Sequence, residues 1–204
     1  MANEQTPSVV EDVLQAPQVT SKLYSGIEKG KLLKVEAIVV HQTGARTADS
    51  SFSSYKDGRN GAHFLIDLDG KIYQTARLDR QCWHVGSIQS RCYKAKKCDV
   101  ADLKAIKGIL FNQGDKYWAS KLHKHETAKA YPDRFPLNDE AIGIEIVGAF
   151  DAKKGYDPVT EAQNASLAWL VATLNGIYGL DGEDVFRHGE IAQKQKDEAA
   201  TAQW

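Results

Sequence analysis

The sequence has no excess of either charge and no long apolar stretch, and each absence argues against a class of protein. Its 26 Lys and Arg residues balance 27 Asp and Glu residues. There is thus no global basic field to hold a polyanion, and nucleic acid is not expected as the main partner. No apolar run approaches the roughly 20 residues that a membrane-spanning helix needs. The composition therefore predicts a soluble chain without a membrane span.

Cysteine is also scarce, and the N-terminus lacks an export signal. Three cysteines are too few for a disulfide framework, although Cys92 and Cys98 can close a small loop and leave Cys82 free. The first 24 residues do not show the basic start and apolar stretch of a secretory signal peptide. The sequence alone is compatible with a cytoplasmic protein, with export by another route, or with a trimmed chain.

The length and the apolar content predict one domain with one core. A chain of 204 residues with 42% apolar residues can bury one substantial core. We expect residues 1–24 to form an N-terminal arm with a short helix around Val9–Leu14, and residues 25–204 to form the domain. Residues 88–137 are basic, aromatic and weakly helical, and we interpret them as an insertion between the second and third core blocks.

Hydrophobic patterning predicts the elements of the core. The nearly continuous apolar run Val35–Val40 predicts a central strand covered on both faces, and an Asp-Gly turn at Asp69 predicts a hairpin. Strict alternation over Ala141–Gly148 predicts a third strand. A capping box that starts at Thr160 predicts the beginning of a helix, which Gly179 is expected to end.

Two histidines and one glutamate stand at unusual places in this pattern. His41 ends the first strand, and His188 follows a short apolar step. Imidazole is a preferred zinc ligand, and a catalytic zinc takes three protein ligands, whereas a lone strand-end histidine is more often a hydrogen-bonded core residue. Glu145 lies between two isoleucines. Either it is a general base in a partly buried site, or it simply points to solvent from an open face of the sheet.

Five sequence blocks in a fixed order carry a family resemblance. Together they resemble the zinc-dependent N-acetylmuramoyl-L-alanine amidases of type 2, which are related to amidase-type phage lysozymes and peptidoglycan recognition proteins. The resemblance implies a single α/β (α+β) domain with a mixed central sheet flanked by helices, as in peptidoglycan recognition proteins. It also implies a Zn²⁺ ion in a groove and cleavage of the amide between N-acetylmuramic acid and L-alanine. The blocks are residues 35–45, 60–74, 82–87, 138–148 and 188–199.

The resemblance assigns three metal ligands and a catalytic lysine. His41 and His188 match the two zinc histidines of the family. In one branch an acid lies ten residues beyond the second histidine and a lysine lies two before that acid, which gives Glu198 and Lys196. The usual acid there is aspartate, so Asp197 is the alternative third ligand; it keeps the residue type but breaks the count.

The resemblance also assigns a base and a substrate groove. Ala62 stands where some members have a tyrosine, and the sequence is similar to the branch that uses the glutamate of a Gly-Ile-Glu motif, here Glu145. His63 is expected to be structural or to line the groove. Trp83 and His84 are expected to contact the substrate, or else to form an ordinary buried pair. The insertion is expected to cover or lengthen the groove, and a peripheral subdomain is the alternative.

The implied partner is the muropeptide stem of peptidoglycan, but several biological settings suit such an amidase. We expect an antibacterial effector of type VI secretion, made in the cytoplasm and secreted without a Sec signal. It would act in the periplasm of a target cell, and an immunity protein would plug its groove. A phage endolysin, a cytoplasmic muropeptide-recycling amidase and a peptidoglycan-binding protein without catalysis are the alternatives.

Overall fold

The computed structural model describes residues 6–112 and 114–204. In chain order the strands are β1 Ser8–Val10, β2 Val13–Gln15, β3 Val19–Ser21, β4 Glu28–Lys31, β5 Ala37–Gly44, β6 Phe64–Ile66, β7 Ile72–Gln74, β8 Arg80–Cys82, β9 Ala141–Asp151, β10 Gly155–Tyr156 and β11 Val185–Arg187. The helices are α1 Ala48–Lys56, α2 Arg91–Ala95, α3 Val100–Leu110, α4 Trp118–Glu126, α5 Glu161–Tyr178 and α6 His188–Ile191. Each helix or strand that the patterning predicted for the core is present.

A mixed sheet forms the centre of the fold, as predicted. Its strand order is β11, β5, β9, β6, β7 and β3, and β10 pairs with the end of β9. Most neighbouring strands along this path are parallel, and β6 and β7 form an antiparallel hairpin. Strands β4 and β8 pair separately beside it. The central strands β5 and β9 are therefore covered on both faces, which explains their apolar composition.

The two faces of β9 pack against different parts of the molecule. Ile142, Ile144 and Ile146 pack in the main core together with the buried leucines of α5. The alternate residues Gly143, Glu145 and Val147 point to the opposite face, as the period of two requires. The predicted alternation is thus confirmed, and Glu145 lies on the face that α5 does not cover.

Capping and turn residues fix α5 and the hairpin as the sequence predicts. Thr160 and Gln163 form a capping box at the start of α5, and Gly179 ends the helix in the left-handed region with φ of 69°. Gly70 has φ of 85°, and a Cβ atom there would lie 2.7 Å from the carbonyl oxygen of Ala162. Only glycine therefore suits this turn against α5.

The predicted helix at Val9–Leu14 is wrong, because these residues form a hairpin. Strand β1 pairs antiparallel with β2, and the chain turns at Glu11 and Asp12, whose φ angles are 49° and 61°. Leu14 is buried in the main core, and β3 extends the central sheet as a parallel neighbour of β7. The described part of the N-terminal arm is thus packed onto the domain.

The insertion is helical, and its beginning is hydrogen-bonded to α6. It contains α2, α3 and α4, and a disulfide joins Cys92 to Cys98. Gln89 N, at the start of the insertion, donates to Ile191 O at the end of α6 at 2.7 Å. Just before the insertion, Ser87 O accepts a hydrogen bond from Gln193 N at 2.9 Å. Among the described residues, none of the helices combines the length and apolar composition that crossing a membrane requires.

Candidate metal centre and active site

Strand register brings two histidines and a glutamate to one edge of the sheet. His41 in β5 is paired with Glu145 in β9. Strand β11 runs parallel to β5 and ends with Arg187 opposite Val40, so His188 follows at the level of His41. The centroids of the two imidazole rings are 4.2 Å apart. The carboxyl ends of parallel strands form the usual ligand-binding edge of such sheets.

Glu198, rather than Asp197, completes this cluster. Its Oε1 atom lies 2.8 Å from Nδ1 of His188 and 3.4 Å from Nδ1 of His41. Asp197 points elsewhere, because its Oδ2 atom accepts a hydrogen bond from Tyr156 N at 3.1 Å. Of the two acids that the sequence left open, Glu198 is the one that meets both histidines.

The Nε2 atoms of His41 and His188, which point away from Glu198, each have a hydrogen-bond partner. His188 Nε2 donates to Val85 O at 2.8 Å. His41 Nε2 donates to His84 Nδ1 at 3.0 Å, and His84 Nε2 donates in turn to Ala141 O at 3.3 Å. Burial lowers the pKa of His41 to about 4 and the pKa of His84 well below its usual value. Both rings are thus neutral at pH 7, and His41 presents an unprotonated Nδ1 to Glu198.

The cluster has the donor chemistry of a catalytic zinc site. Glu198 contributes a carboxylate, whose oxygens are acceptors only. One carboxylate oxygen of Glu198 and one ring nitrogen from each histidine all lie within 4.8 Å of one another. Such acceptors can converge only around a proton or a metal cation. Two imidazoles and one carboxylate are a known catalytic zinc set, in which a fourth position stays open.

A cavity of about 370 Å³ opens beside the cluster. Trp83 lies at its rim with 51% of its surface exposed, and Lys29 Nζ is 5.3 Å from the centre of its ring. No described residue of the insertion lines this cavity, and the expectation that the insertion covers or lengthens the groove stays a prediction. The lining residues are His41, Gln42, Thr43, Ala45, Ser50, Ser51, Ser54, Tyr55, Asn60, Gly61, Trp83, His84, Glu145, Tyr156, His188, Lys194, Gln195 and Glu198.

Glu145 faces this cavity with an unused oxygen. Its Oε2 atom is shielded from solvent and has no hydrogen-bond partner in the described residues. Burial, and then the charge of Glu198, raises the pKa of Glu145 to about 8, while Lys194 acts to lower it. A carboxyl group with such a pKa can accept and return a proton near neutral pH. The alternative of an ordinary solvent-facing glutamate does not fit this environment.

The lysine in the cavity wall is Lys194, whereas Lys196 does not line the cavity. Both side chains are exposed, but only Lys194 is part of the wall. The segment before Glu198 is a series of bends and turns, in which Glu198 N donates to Gln195 O at 3.1 Å. Side-chain direction has no fixed period in such a segment. The prediction for Lys196, which counted two residues back from Glu198, is therefore not supported by the geometry.

Of the two roles expected for His63, structural or groove-lining, the geometry favours the structural one, and His63 does not line the cavity. The residue is fully buried and both ring nitrogens are used: Gly143 N donates to Nδ1 at 3.0 Å, and Nε2 donates to Arg80 O at 2.7 Å. His84 does reach the cavity, but its ring also orients His41. Gly143 leaves room for that ring, since a Cβ atom there would lie 2.9 Å from His84 Cγ.

Two tyrosines of the cavity wall, Tyr55 and Tyr156, were not predicted from the sequence. Tyr55 lies on α1, and no sequence motif pointed to it. Tyr156 follows Gly155, where a Cβ atom would lie 2.0 Å from Asp197 Oδ2. That glycine was the available signal, because glycine often marks a close approach of the backbone to another group.

Comparisons with known proteins agree with this fold. A selenomethionine AmpD derivative has 18% identity and a TM-score of 0.55 over 92% of this chain and 89% of that chain. PlyL has 16% identity and a TM-score of 0.53, with 89% and 86% covered. The catalytic domain of XlyA has 19% identity and a TM-score of 0.52, with 87% and 88% covered. No curated protein sequence matches the chain. The sequence pattern of the N-acetylmuramoyl-L-alanine amidases matches residues 31–200, and the chain belongs to that family.

Proposed function

We propose that this protein is a zinc-dependent amidase of bacterial cell walls. Its substrate is the amide between the lactyl group of N-acetylmuramic acid and the L-alanine of the stem peptide. The observation that carries the proposal is the convergence of His41, His188 and Glu198 beside the free carboxyl oxygen of Glu145 in one open cavity. Membership of the amidase family supports the same reaction.

His41, His188 and Glu198 are the residues that would hold zinc. When bound, zinc supplies a Lewis acid that lowers the pKa of water and polarises a carbonyl group. His84 and the carbonyl of Val85 hold the Nε2 atoms of the histidines, and such partners fix the tautomer of a ligand and raise its basicity.

Glu145 moves the proton of the reaction. Its carboxylate accepts a proton from the attacking water, and it returns that proton to the alanine nitrogen as the carbon–nitrogen bond breaks. The products are the lactyl carboxylic acid and a stem peptide with a free amine. Lys194 places a positive charge at the cavity wall, where it favours the negative charge that develops on the carbonyl oxygen.

We further propose that the protein acts outside the cytoplasm, as an effector delivered into the periplasm of a target cell and blocked there by an immunity protein. The Cys92–Cys98 disulfide supports an oxidising compartment. Expression with and without an added periplasmic signal tests this setting. Lysis only with the signal is expected, and equal effects of the two forms would contradict it.

Digestion of purified sacculi by the zinc-loaded protein tests the reaction. We expect mass spectrometry to detect stem peptides that begin with free L-alanine. Glu145→Gln should keep zinc and lower the rate by about 10²–10⁴-fold, because the amide cannot accept the proton. Glu126→Gln is the matched control, since Glu126 is also a glutamate with a buried unpartnered Oε2 atom but does not line the cavity.

The same assay distinguishes hydrolysis from binding alone. A wild-type protein that binds sacculi and releases no peptide would support the non-catalytic alternative. Equal rates for wild type and Glu145→Gln would place the base elsewhere.

A further inference from the structure

Tyr55 reaches the candidate active site from a helix that the mechanism has not used. Its ring is buried in an apolar cluster that also contains Leu65 and Val147. Leu65 in β6 is paired directly with Glu145 in β9. Tyr55 therefore packs on the same face of the sheet as Glu145, next to it, and both residues line the cavity.

The hydroxyl group of Tyr55 is buried and has an unused donor. Among the described residues, the hydroxyl proton of Tyr55 has no acceptor. A backbone hydrogen bond from Ala62 acts to lower the pKa of Tyr55; an amide N–H can only donate, so this contact leaves the O–H donor unused. Burial, and then the charge of Glu145, raises the pKa of Tyr55 well above its usual value. The phenol thus keeps its proton at any pH at which the enzyme works.

Two residues of the cavity wall therefore each have a buried oxygen with unused hydrogen-bonding capacity, and the two oxygens differ in chemistry. Glu145 Oε2 is an acceptor when the carboxyl group is ionised, whereas Tyr55 Oη offers a donor. Buried polar groups normally find partners, and groups that do not are candidates for binding a ligand. An amide substrate with its attacking water offers both complements: a water proton for the carboxylate, and a carbonyl oxygen for the donor.

We propose that Tyr55 is a catalytic residue whose hydroxyl donates a hydrogen bond to the carbonyl oxygen of the scissile amide as that oxygen gains negative charge. This inference rests on the proposed amidase function and adds a donor from α1 to the charge supplied at Lys194. No covalent bond to Tyr55 forms, and its proton stays on the phenol oxygen throughout.

Tyr55→Phe tests the proposal because it removes the hydroxyl and leaves the ring in place. We expect kcat on a soluble muropeptide to fall about 10²-fold with KM changed less than twofold, as for loss of a group that acts in the transition state. Zinc content should not change. The thermal midpoint should change little, because the hydroxyl proton has no acceptor among the described residues.

Tyr24→Phe is the matched control. Tyr24 packs against Tyr55 with ring centres 5.8 Å apart, and its hydroxyl is also buried without a partner, but it does not line the cavity. We expect its kcat to stay within twofold of wild type.

Several outcomes would overturn the inference. A Tyr55→Phe variant with wild-type kcat would do so, as would equal losses in both variants or a loss confined to KM. A wild-type protein without hydrolysis would instead reject the proposed function itself, so the two failures are distinguishable.

Discussion

Two regions of the molecule bring histidine close to carboxylates, and the negative charge of the carboxylates is compensated differently in each region. In the active-site cluster, His41, His188 and Glu198 converge with acceptor atoms toward one another. In the insertion, Asp102 on α3 lies close to His125 and Glu126 on α4. By residue type alone, each cluster could hold a metal ion.

Lys129 makes the difference between the two clusters. Its Nζ atom lies 2.7 Å from Asp102 Oδ2 and 2.7 Å from Glu126 Oε1, and His125 Nε2 is 2.5 Å from Asp102 Oδ1. The insertion therefore contains its own cation. The active-site cluster has no comparable ammonium group between its ligands in the described residues. Metal binding therefore depends on whether the protein already supplies the positive charge, as well as on ligand type.

The largest effect should come from removing one histidine from each cluster. His188→Ala should lose stoichiometric zinc and lower hydrolysis by at least about 10³-fold, because two remaining ligands hold zinc weakly and the Lewis acid is lost. His125→Ala should keep stoichiometric zinc and the wild-type rate of hydrolysis. Metal analysis of the purified proteins and peptide release from sacculi measure the difference. Full zinc in His188→Ala, or loss of zinc from His125→Ala, would contradict the assignment of the zinc site to the cluster that contains His188.

A smaller effect should separate two lysines of the loop before Glu198. Lys194→Ala should lower kcat by roughly 10–10²-fold, because it removes a charge beside the developing oxyanion, and Lys196→Ala should change it less than threefold. Steady-state kinetics on a soluble muropeptide provide the measurement. If Lys196→Ala lowered kcat more than Lys194→Ala, Lys196 would be the catalytic lysine, as the spacing from Glu198 predicted.

The smallest effect concerns the ion pairs of the insertion. Burial acts to raise the pKa of Asp102, but hydrogen bonds from Lys129 and His125 lower it overall. The group therefore stabilises the fold above its unfolded pKa of about 3.9, and this stability is lost as pH falls through the lowered pKa. Urea unfolding should find Asp102→Asn less stable by roughly 1–3 kcal/mol at pH 7. The difference should shrink below about pH 4, and a pH-independent difference would point to packing instead.

The sequence predicted the parts of the fold that depend on periodic patterns. The apolar run of β5, the alternation of β9 and the capping box at Thr160 each follow from a local rule, and the structure contains all three. Parallel pairing of β5 with β9 and β11 then brings His41, Glu145 and His188 together. The order of the five blocks indicated the family, which the match to residues 31–200 confirms.

The details that the sequence did not predict depend on irregular backbone and on tertiary contacts. Counting could not show which lysine faces the cavity, because the bends before Glu198 follow no period. The hairpin at Val9–Leu14 depends on two non-glycine residues with positive φ, which propensity disfavours. The choice between a structural and a groove-lining role for His63 stayed open, because its burial depends on Arg80 and Gly143, which are distant in sequence.

The loop from His188 to Glu198 is held in place by contacts that need no metal. Gln193 N bonds to Ser87 O, Asp197 accepts from Tyr156 N, and Gly189 lets the backbone of Gln195 pass close by. Two of the three ligands thus form a preorganised chelate whose ordering entropy is lost during folding. Small zinc-finger domains, in contrast, fold only as they bind their ion. Under the proposed function, this chain should fold first and bind zinc afterwards, so a chelator should inhibit hydrolysis reversibly and leave the fold intact.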